Sequence, residues 1–503
     1  MDILLALLLL CLGSKGISNA EVAEVMPLGP LLPSDPLQNE MGPSAMPLIP
    51  LIRSKPVETT AENTTEAQPD RTLETTAEGT TALSSASTDT DDEKETVSEE
   101  DLDGSCESVG KSRRSLGLIA RALQKSGLKL LAKLEPTEAE PNVIISPLSI
   151  SLALSQLALG AVNETERLLM NYLHGNNLSC YHETLHKALE QLKSDDLQIA
   201  TRIFLAQGLE LKQKFTEDSQ RLYGSKPVAL EGLQQVNSWV EQATKGKIPE
   251  FLTSLPPQLL LMLINAVHFK GEWIARFDPQ LTSKGVFYLN DNQLVDVEMM
   301  EGPKHPMSVY VDPILEAHVA RLRFQKRTSL ILVLPTSGQV NVSRLAETLI
   351  LSEVYSRLPQ EQDVKVTLPK LKLEYGQELK KAFTNLDLGL IFSNPDLSGI
   401  AEGSLIVTSV KHKSSMELNE EGAEATAATA VIISRMSTPI FSVDRPFFFS
   451  LVDDKTKVPI MMGVVNNPNP GAPTMRRPEP GNKDKEGYPV DKSEVSSKGL
   501  PPK

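Results

Sequence analysis

The stretch Glu417–Pro439 reads ELNEEGAEATAATAVIISRMSTP and begins with acidic residues. A run of small residues, Ala423–Ala430, follows Gly422, and the basic residue Arg435 stands before Met436. Small and β-branched side chains fit a crowded sheet in which bulky ones would clash. Arginine fits the acidic primary pocket of a trypsin-like protease. The stretch therefore predicts a segment that can be cut and can also become a strand. The alternative is an alanine-rich helix, since alanine is the best helix former.

Composition and the amino terminus narrow the class of protein. The chain has 503 residues and a formal net charge of −15, which argues against nucleic acid as the main partner. Residues 1–20 are typical of a secretory signal peptide, with an apolar core at Leu4–Leu12 and small residues at 18–20, although Asp2 replaces the usual basic residue. No later run reaches about 18 apolar residues. We therefore expect an exported chain that does not span a membrane.

Two segments lack the apolar content of a folded domain. Residues 21–105 are rich in Pro and then in Thr, Ser, Glu and Asp, which is typical of an O-glycosylated stalk or of a plain flexible leader. Beyond Asn467 the chain becomes rich in Pro and Lys, and residues 471–503 are predicted to be a flexible tail. Residues 106–470 mix helical and strand patterns without an internal repeat, which predicts one large α+β domain.

Apolar periodicity places the main elements of that domain. Leu116–Leu134 has helical spacing, and a second helix begins at Ser146-Pro147, with Pro near its first position. Leu259–Phe269 is almost continuously apolar, as in a strand buried on both faces. Further strands are predicted at 143–145, 197–206, 228–230, 295–300, 318–324, 330–334, 364–368, 404–410 and 447–452, and further helices at 236–250, 343–347 and 377–385. Lys111–Arg114 is either a proprotein-processing site or a group of solvated charges ahead of the first helix.

Cysteines and sequons fit an exported protein. Signal removal takes Cys11 away and leaves Cys106 and Cys180, for which only one pairing exists. Outside the cell such a pair forms a disulfide by default, and two free thiols are the alternative. No Cys or His cluster has metal-ligand spacing, so neither a metal nor a cofactor is expected. Glycosylation sequons stand at Asn63, Asn163, Asn177 and Asn341.

An ordered set of short motifs resembles the serpin family over roughly residues 106–468. The run NVIISPLSI from Asn142 resembles the family's buried second helix, and Asn265–Phe269 with Trp273 resembles the strand and "breach" where loop insertion begins. His412–Ala425 resembles the strand and hinge that enter the reactive loop. Weaker matches are Asn237, Trp239-Val240 and 244–248, for the helix that crosses the main sheet, and 297–300, 368–370, 445–447 and 467–468. Each motif is weak alone, but their order is specific.

The resemblance implies the serpin fold, in which helices surround a large mixed β-sheet and a reactive-centre loop is exposed. It also implies that the chain is not an enzyme but a suicide substrate. A protease serine would attack the carbonyl of Arg435 and form an acyl-enzyme, and the cut loop would enter the main sheet as an extra strand. The bond Met436-Ser437 is the alternative for chymotrypsin-like enzymes. The implied hinge comprises Glu421, Gly422, Ala423, Glu424, Ala425, Thr426, Ala427 and Ala428.

Other residues also match family positions. Ser146, Ser149 and His412 match the "shutter", a polar cluster beneath the opening sheet, and Trp273 matches the breach. For His412 the alternative is a satisfied core histidine without a switching role. Cys106 and Cys180 stand where a plasmin-inhibiting serpin has its disulfide.

The loop and the tail together resemble those of a plasmin-directed member of the family. This resemblance implies a monomer, secreted into plasma, that inhibits plasmin and trypsin and regulates fibrinolysis. Plasmin's kringles take a lysine ammonium with a nearby carboxylate, and the candidate ligands are Lys503, Lys483, Lys485, Lys492 and Lys498. Fibrin is a further implied partner, although the context of Gln38 matches a cross-linking site poorly. The alternatives are a solvated tail, another Arg-specific plasma protease as target, or a non-inhibitory carrier.

Overall fold

The structure is a computed structural model, and it describes residues 106, 113–176, 178, 180–192, 194–336, 338–422 and 438–477. The α-helices are α1 (Arg113–Leu131), α2 (Pro147–Ala158), α3 (Asn163–Tyr172), α4 (Tyr181–Leu192), α5 (Gln213–Tyr223), α6 (Leu233–Ala243), α7 (Val342–Thr348), α8 (Leu351–Arg357) and α9 (Lys380–Phe383). The strands are β1 (Val143–Ile145), β2 (Leu197–Leu205), β3 (Val228–Ala229), β4 (Leu261–Lys270), β5 (Ser283–Tyr288), β6 (Gln293–Asp312), β7 (Ala317–Arg323), β8 (Thr328–Pro335), β9 (Gln362–Pro369), β10 (Leu371–Glu378), β11 (Val407–Leu418), β12 (Ile440–Ser442), β13 (Phe447–Asp453), β14 (Pro459–Val465) and β15 (Met475–Arg476).

Helix α2 lies inside the domain. All of its residues are buried, which is the property of a helix that is surrounded by other elements. It begins where Ser146-Pro147 predicted a start, because the Ser146 hydroxyl caps it by accepting the Ser149 N–H at 3.2 Å and Pro147 takes the first helical position. The amphipathic α1 packs its buried side against α2.

The main sheet has five strands in the order β10-β11-β4-β2-β3. Strand β11 is antiparallel to β10 but parallel to β4, and β4 is antiparallel to β2. Nine of the ten residues of β4 are buried, so this strand has the burial on both faces that its apolar run predicted. Helix α6 covers one face, where Val236 and Val240 join a cluster with Phe204 and Met262. The sequence resemblance had assigned this crossing position to the same helix.

A second set of strands pairs in the order β1-β14-β13-β8-β7-β6-β9-β12, with β5 and β15 also on β6. Strands β13 and β14 are buried at every residue and extend the hydrophobic core beneath α1 and α2. The long strand β6 takes part in both halves of this second set of strands. It pairs with β5 near its start and with β7 near its carboxyl end. The domain is thus α+β, as predicted.

The structure corrects several predicted boundaries. The strand predicted at 404–410 is β11, which continues to Leu418 although polar residues such as Lys411 and Lys413 interrupt its apolar pattern. The helix predicted at 377–385 overlaps the end of β10, and the short α9 begins only at Lys380. Strand β10 was missed, even though its burial alternates as a half-exposed strand requires.

We call the chain beyond Asn467 the carboxyl-terminal extension. Its first part, residues 468–477, lies along β6 rather than being disordered. The Asn469 side chain donates to the Asp296 carbonyl at 2.9 Å, and β15 pairs with the first residues of β6. The Arg477 N–H donates to the Asn292 carbonyl at 2.8 Å. Composition had predicted disorder from Asn467 onward, and this prediction fails for residues 468–477 because backbone pairing to an open strand edge needs no apolar side chains. Residues 478–503 lie outside the described residues, and so do the predicted signal peptide and residues 21–105. Within the described ranges, none of the helices is both long and apolar enough to cross a bilayer.

Candidate functional site

The candidate site lies where β11 leaves β4 at one end of the main sheet. The last register pair joins Glu417 to Lys270, and the chain after β11 then binds Trp273, three residues past the end of β4. The indole N–H of Trp273 donates to the Asn419 carbonyl at 2.7 Å, and its backbone N–H donates to the Glu421 carbonyl at 3.0 Å. Gly422 forms a parallel bridge with Trp273. Glu421, Gly422 and Trp273, which the sequence assigned to the hinge and the breach, thus meet here.

Two lysines hold the acidic residues of this segment. Lys270 Nζ lies 2.8 Å from a Glu421 carboxylate oxygen and 3.6 Å from one of Glu417. The hydrogen bond from Lys270 lowers the pKa of Glu421, and the same bond raises the pKa of Lys270. Burial disfavours the charged form of Glu420, but hydrogen bonds from Thr282 at 2.8 Å and from Lys370 outweigh it, so the Glu420 pKa lies below its usual value. The segment is therefore anionic and paired at neutral pH.

An aromatic cluster forms the base of the site. Trp273 is fully buried and stacks on Phe324, with ring centroids 4.2 Å apart. Phe277 meets Trp273 edge-on at 5.6 Å and stacks with His305 at 4.7 Å. Burial lowers the pKa of His305 to about 4, so this imidazole is neutral at physiological pH. Beside the cluster opens a cavity of about 870 Å³, lined by residues 417–422 and by Pro468–Pro470 of the extension.

Asn265 organises the polar cluster beneath the main sheet. Its side-chain oxygen accepts the Ser149 hydroxyl at 2.9 Å and lies 2.5 Å from Nδ1 of His412. Its amide nitrogen donates to the Thr201 hydroxyl at 3.0 Å. Asn265 is on β4 and His412 is its register partner on β11, so their hydrogen bond joins two strands that would have to part if another strand entered between them.

His412 is a buried, neutral histidine. Its side chain is almost inaccessible, and burial lowers its pKa to about 3. Its Nε2 has no hydrogen-bond partner among the described residues, so the imidazole is held through Nδ1 alone. The structure thus places His412 in the core, where it bridges β4 and β11 through Asn265, and its switching role stays a prediction.

Ser146 is connected to the Asn265 cluster through Ser149, whose N–H and hydroxyl both donate to it. The Ser146 hydroxyl donates to the Ile460 carbonyl at 2.6 Å while also capping α2, so it ties that helix to β14. A second link is made by Ser414 on β11, whose hydroxyl donates to the Ile144 carbonyl on β1 at 2.6 Å. Of the three residues predicted for the shutter, Ser149 and His412 both bond to Asn265, and Ser146 bonds to Ser149.

Several functional residues escaped the sequence analysis. Asn265 had been noted only as part of a strand and Glu420 only as part of the hinge motif, and Lys270 and Thr282 had no assigned role. The sequence did mark Asn265, because it is a polar residue inside the apolar run Leu259–Phe269. A buried amide needs hydrogen-bond partners, so a polar cluster could have been predicted around it. No comparable local signal marks Lys270 or Thr282, since their partners are more than a hundred residues away along the chain.

The disulfide and two sequons lie within the described residues. Cys106 and Cys180 form a disulfide, which settles the choice left open by the sequence. Asn163 and Asn341 are exposed. The side-chain amide of Asn163 donates to Asp396 at 2.9 Å, whereas Asn341 uses its oxygen to cap α7.

The remaining predicted residues lie outside the described residues. They are Arg435, Met436, Ala423, Glu424, Ala425, Thr426, Ala427, Ala428, Asn63, Asn177, Lys483, Lys485, Lys492, Lys498 and Lys503. Across the described part of the chain, no three His, Cys, Asp or Glu side chains are grouped so that they could hold a metal ion.

Comparisons with known proteins agree with this geometry. The family model "Serpin (serine protease inhibitor)" matches residues 121–468. The chain is 41% identical over 374 residues to alpha-2-antiplasmin of Mus musculus, covering 73% of this chain and 76% of that protein. It is 38% identical over 389 residues to alpha-2-antiplasmin of Bos taurus, covering 76% and 78%.

A solved structure gives the same result for the fold. The crystal structure of mouse protein-Z dependent protease inhibitor superposes with a TM-score of 0.63 at 25% identity and covers 72% of this chain and 99% of that one. The family model spans more than half of the chain, and the relatives exceed the identity at which a shared fold is secure. The chain therefore belongs to the serpin family of serine protease inhibitors.

Proposed function

We propose that this protein is a secreted suicide-substrate inhibitor of trypsin-like serine proteases, with plasmin as its main target. The protease serine attacks the carbonyl carbon of Arg435, the bond to Met436 breaks, and Arg435 remains esterified to the enzyme. The serine proton passes through the protease's own histidine to the leaving amine of Met436. The protease supplies the catalytic groups, and the inhibitor supplies the scissile bond and the segment that moves.

One observation carries this proposal. Gly422 pairs with Trp273 just beyond the end of β4, so the loop that begins at Ala423 starts at the edge where β4 and β11 can separate. A loop anchored there needs no rearrangement of its root before its first residues enter the gap. Loop entry at this point is the geometry that trapping of an acyl-enzyme requires.

The directions of β4 and β11 favour insertion of the cut loop between them. Strands β4 and β11 run parallel, and a segment that returns from the end of β11 would run antiparallel to both. Parallel pairing is slightly less stable per residue than antiparallel pairing, so insertion exchanges one weaker ladder for two stronger ones. Each added backbone hydrogen bond contributes about 1 kcal/mol net. Before cleavage the loop is attached at both of its ends, which opposes its entry into the sheet, and the native fold is therefore held by a kinetic barrier.

The residues of the loop fit this role. Side chains alternate between the faces of a strand, so Ala423, Ala425, Ala427 and Thr429 would share one face. All four are small enough to enter between packed strands. A carrier that is merely cut could hold proline or bulky residues at these positions, and this contrast supports inhibition.

The tail supports plasmin as the target. The extension follows β6 as far as Arg477 and then continues through a Lys-containing segment. A kringle binds a lysine ammonium together with a nearby carboxylate, and Lys483 beside Asp484 and Lys485 beside Glu486 offer such pairs. Such a tether would raise the local concentration of the protease near Arg435. The identity to two antiplasmins points to the same enzyme.

The predicted site of action is extracellular. The signal-like residues 1–20, the disulfide and the sequons all suit an exported chain. Of the two exposed sequons, Asn341 keeps its amide nitrogen out of the α7 cap, and we propose it as the better glycan acceptor.

The covalent adduct tests the mechanism. The purified protein is mixed with plasmin or trypsin, and a complex that survives SDS is expected on a gel. Arg435→Ala should abolish the adduct with both enzymes, whereas Met436→Ala should retain it. Cleavage without an adduct would instead identify a non-inhibitory carrier.

Rate measurements test the target. Deletion of residues 478–503 should slow inhibition of plasmin and leave inhibition of trypsin unchanged, because trypsin has no kringles to bind. Equal slowing of both enzymes would reject the tether. A much faster reaction with another Arg-specific plasma protease would replace plasmin as the main target.

A further inference from the structure

Helix α1 carries a line of exposed positive charge that the proposed inhibitory mechanism does not use. Arg121, Lys125 and Lys129 follow one another at intervals of four residues, and Lys133 continues the line just past the helix end. All four residues are exposed, and none makes an ion pair with a described residue. The helix contains no acidic residue. We call these four residues the basic stripe.

The basic stripe is unfavourable on its own. Residues four apart on a helix are neighbours, and like charges in that relationship destabilise it. His174 lies close enough to two members that Lys125 and Lys129 add to burial in lowering its pKa to about 4. A stripe of uncompensated cations on a protein with a net charge of −15 calls for a negative occupant.

An acidic segment of the same chain is tethered beside this helix. Glu95–Asp103 reads ETVSEEDLD and contains five acidic residues and no basic one. Only Gly104 and Ser105 separate it from Cys106, whose disulfide to Cys180 fixes the chain at the start of α4. Helix α4 packs against α1, and His174, in the loop before α4, lies close enough to Lys125 and Lys129 to interact with both charges.

The acidic segment is also long enough to cover the whole basic stripe. Nine extended residues span about 30 Å. The stripe from Arg121 to Lys133 covers about 18 Å at the helical rise per residue. Residues 478–503, which also lie outside the described residues, contain five lysines and five acidic residues, so they carry no net negative charge for the stripe, and they leave the domain from β6.

We infer that the acidic segment Glu95–Asp103 docks on the basic stripe of α1 and covers it in the intact protein. The contact is intramolecular and is held near its partner by the disulfide, so it forms at a high effective concentration. It would compete with any external polyanion for the same cations. This inference concerns the leader and α1, and it stands independently of the proposed protease target.

Zero-length carbodiimide coupling on the full chain tests the contact. Isopeptide bonds should join carboxylates of residues 95–103 to Lys125, Lys129 or Lys133, as mapped by mass spectrometry of peptides. They should be lost in about 1 M NaCl, where the screening length is about 3 Å. Coupling spread evenly over exposed lysines elsewhere, such as Lys214 and Lys226, would overturn the inference.

Proteolysis gives a second readout. A Glu-specific protease should cut after Glu99 and Glu100 about tenfold faster in R121Q/K125Q/K129Q/K133Q than in the parent, which corresponds to the loss of a few exposed ion pairs. The matched control K214Q/K226Q/K284Q/K381Q removes four exposed lysines elsewhere and should cut at the parental rate. Equal rates in all three proteins would reject docking.

A sulfated resin separates the two kinds of occupant. Neutralising the segment by E95Q/E99Q/E100Q/D101N/D103N should increase retention on immobilised heparin, and the stripe variant should cancel most of that increase. If neutralisation has the same effect with or without the stripe, the segment does not cover it. In that outcome the stripe is open to an external polyanion, and the inference is wrong.

Discussion

Gly422 lies so close to the backbone of Trp273 that a Cβ atom on it would be 2.5 Å from the Trp273 carbonyl oxygen. The same atom would lie 2.8 Å from the Trp273 Cβ and 3.0 Å from the Arg276 Cα. These neighbours are backbone atoms or a Cβ atom, so no change of side-chain rotamer can move them away. Glycine is therefore required at this hinge position by the space available, and any side chain would push the segment off Trp273.

Gly422→Ala should destabilise the native protein. The added methyl must displace backbone, and such overpacking costs about 1–3 kcal/mol in the free energy of unfolding. Thermal unfolding followed by circular dichroism should show a lower midpoint. Gly471→Ala is the matched control, because a Cβ at Gly471 meets no atom within 4 Å. Equal midpoints for the two variants would show that the contact with Trp273 is unimportant.

Asn265→Ala should weaken the link between β4 and β11. The change leaves the His412 Nδ1 buried without a partner, at a cost of about 1–3 kcal/mol, whereas the Ser149 hydroxyl keeps the Ser146 carbonyl as an acceptor. The midpoint of chemical denaturation measures this loss. Asn385→Ala removes an exposed amide and should have little effect. A similar loss in both variants would contradict the role given to Asn265.

His412 should make the stability of the protein depend on acidity. Its folded pKa of about 3 lies below the ordinary value of 6.5, so the unfolded chain binds the proton more readily between these values. The free energy of unfolding therefore falls as the pH drops from 6.5 toward 3, by up to about 1.4 kcal/mol per pH unit from this residue. His412→Asn should flatten the stability curve and narrow the fall at pH 4 by about 3 kcal/mol.

Unfolding midpoints measured from pH 7 to pH 4 test the His412 prediction. The variant starts from a lower stability because it loses packing, so the slopes and not the absolute values are compared. His305, whose pKa is also lowered by burial, leaves part of the slope in place. Parallel curves for parent and variant would mean that His412 is protonated without cost in the fold.

Lys270→Gln should have a small effect on stability. The ion pairs of Lys270 with Glu417 and Glu421 are partly exposed, and exposed pairs contribute about 0.2–1 kcal/mol. The thermal midpoint should therefore fall less than in Gly422→Ala. The gap between the midpoints of Lys270→Gln and the parent should shrink in high salt. A loss larger than that of Gly422→Ala would indicate that charge, rather than close packing, holds the hinge.

The sequence predicted the helices and strands whose own residues carry a clear pattern. The buried strand β4 and the capped start of α2 both follow from the apolar run and from Ser146-Pro147. The carboxyl-terminal half of β11 was harder to predict from periodicity, because Lys411, His412 and Lys413 break the apolar alternation and only the family motif indicated a strand there. Its neighbours in space, rather than its composition, decide its burial.

The site was predictable to the extent that its residues carry a local signal. Trp273 and Gly422 were found by motif, and the structure shows them in contact. Lys270 and Thr282 were missed, because an ion pair or hydrogen bond across more than a hundred residues leaves no trace in local sequence. The position of the extension along β6 was missed for the same reason.

The pairing of the extension with β6 also covers a strand edge on which a second molecule of the protein could pair. Within the extension, Asn469 bonds to Asp296, β15 pairs with Gln293 and Leu294, and Arg477 bonds to Asn292 just before β6, while Lys370 bonds to Glu298 beside them. An open strand edge is a template on which a second chain can add, and aggregation begins at such edges. A molecule shortened before Asn469 would expose this part of β6, and we expect it to associate with other copies more readily than the full chain does.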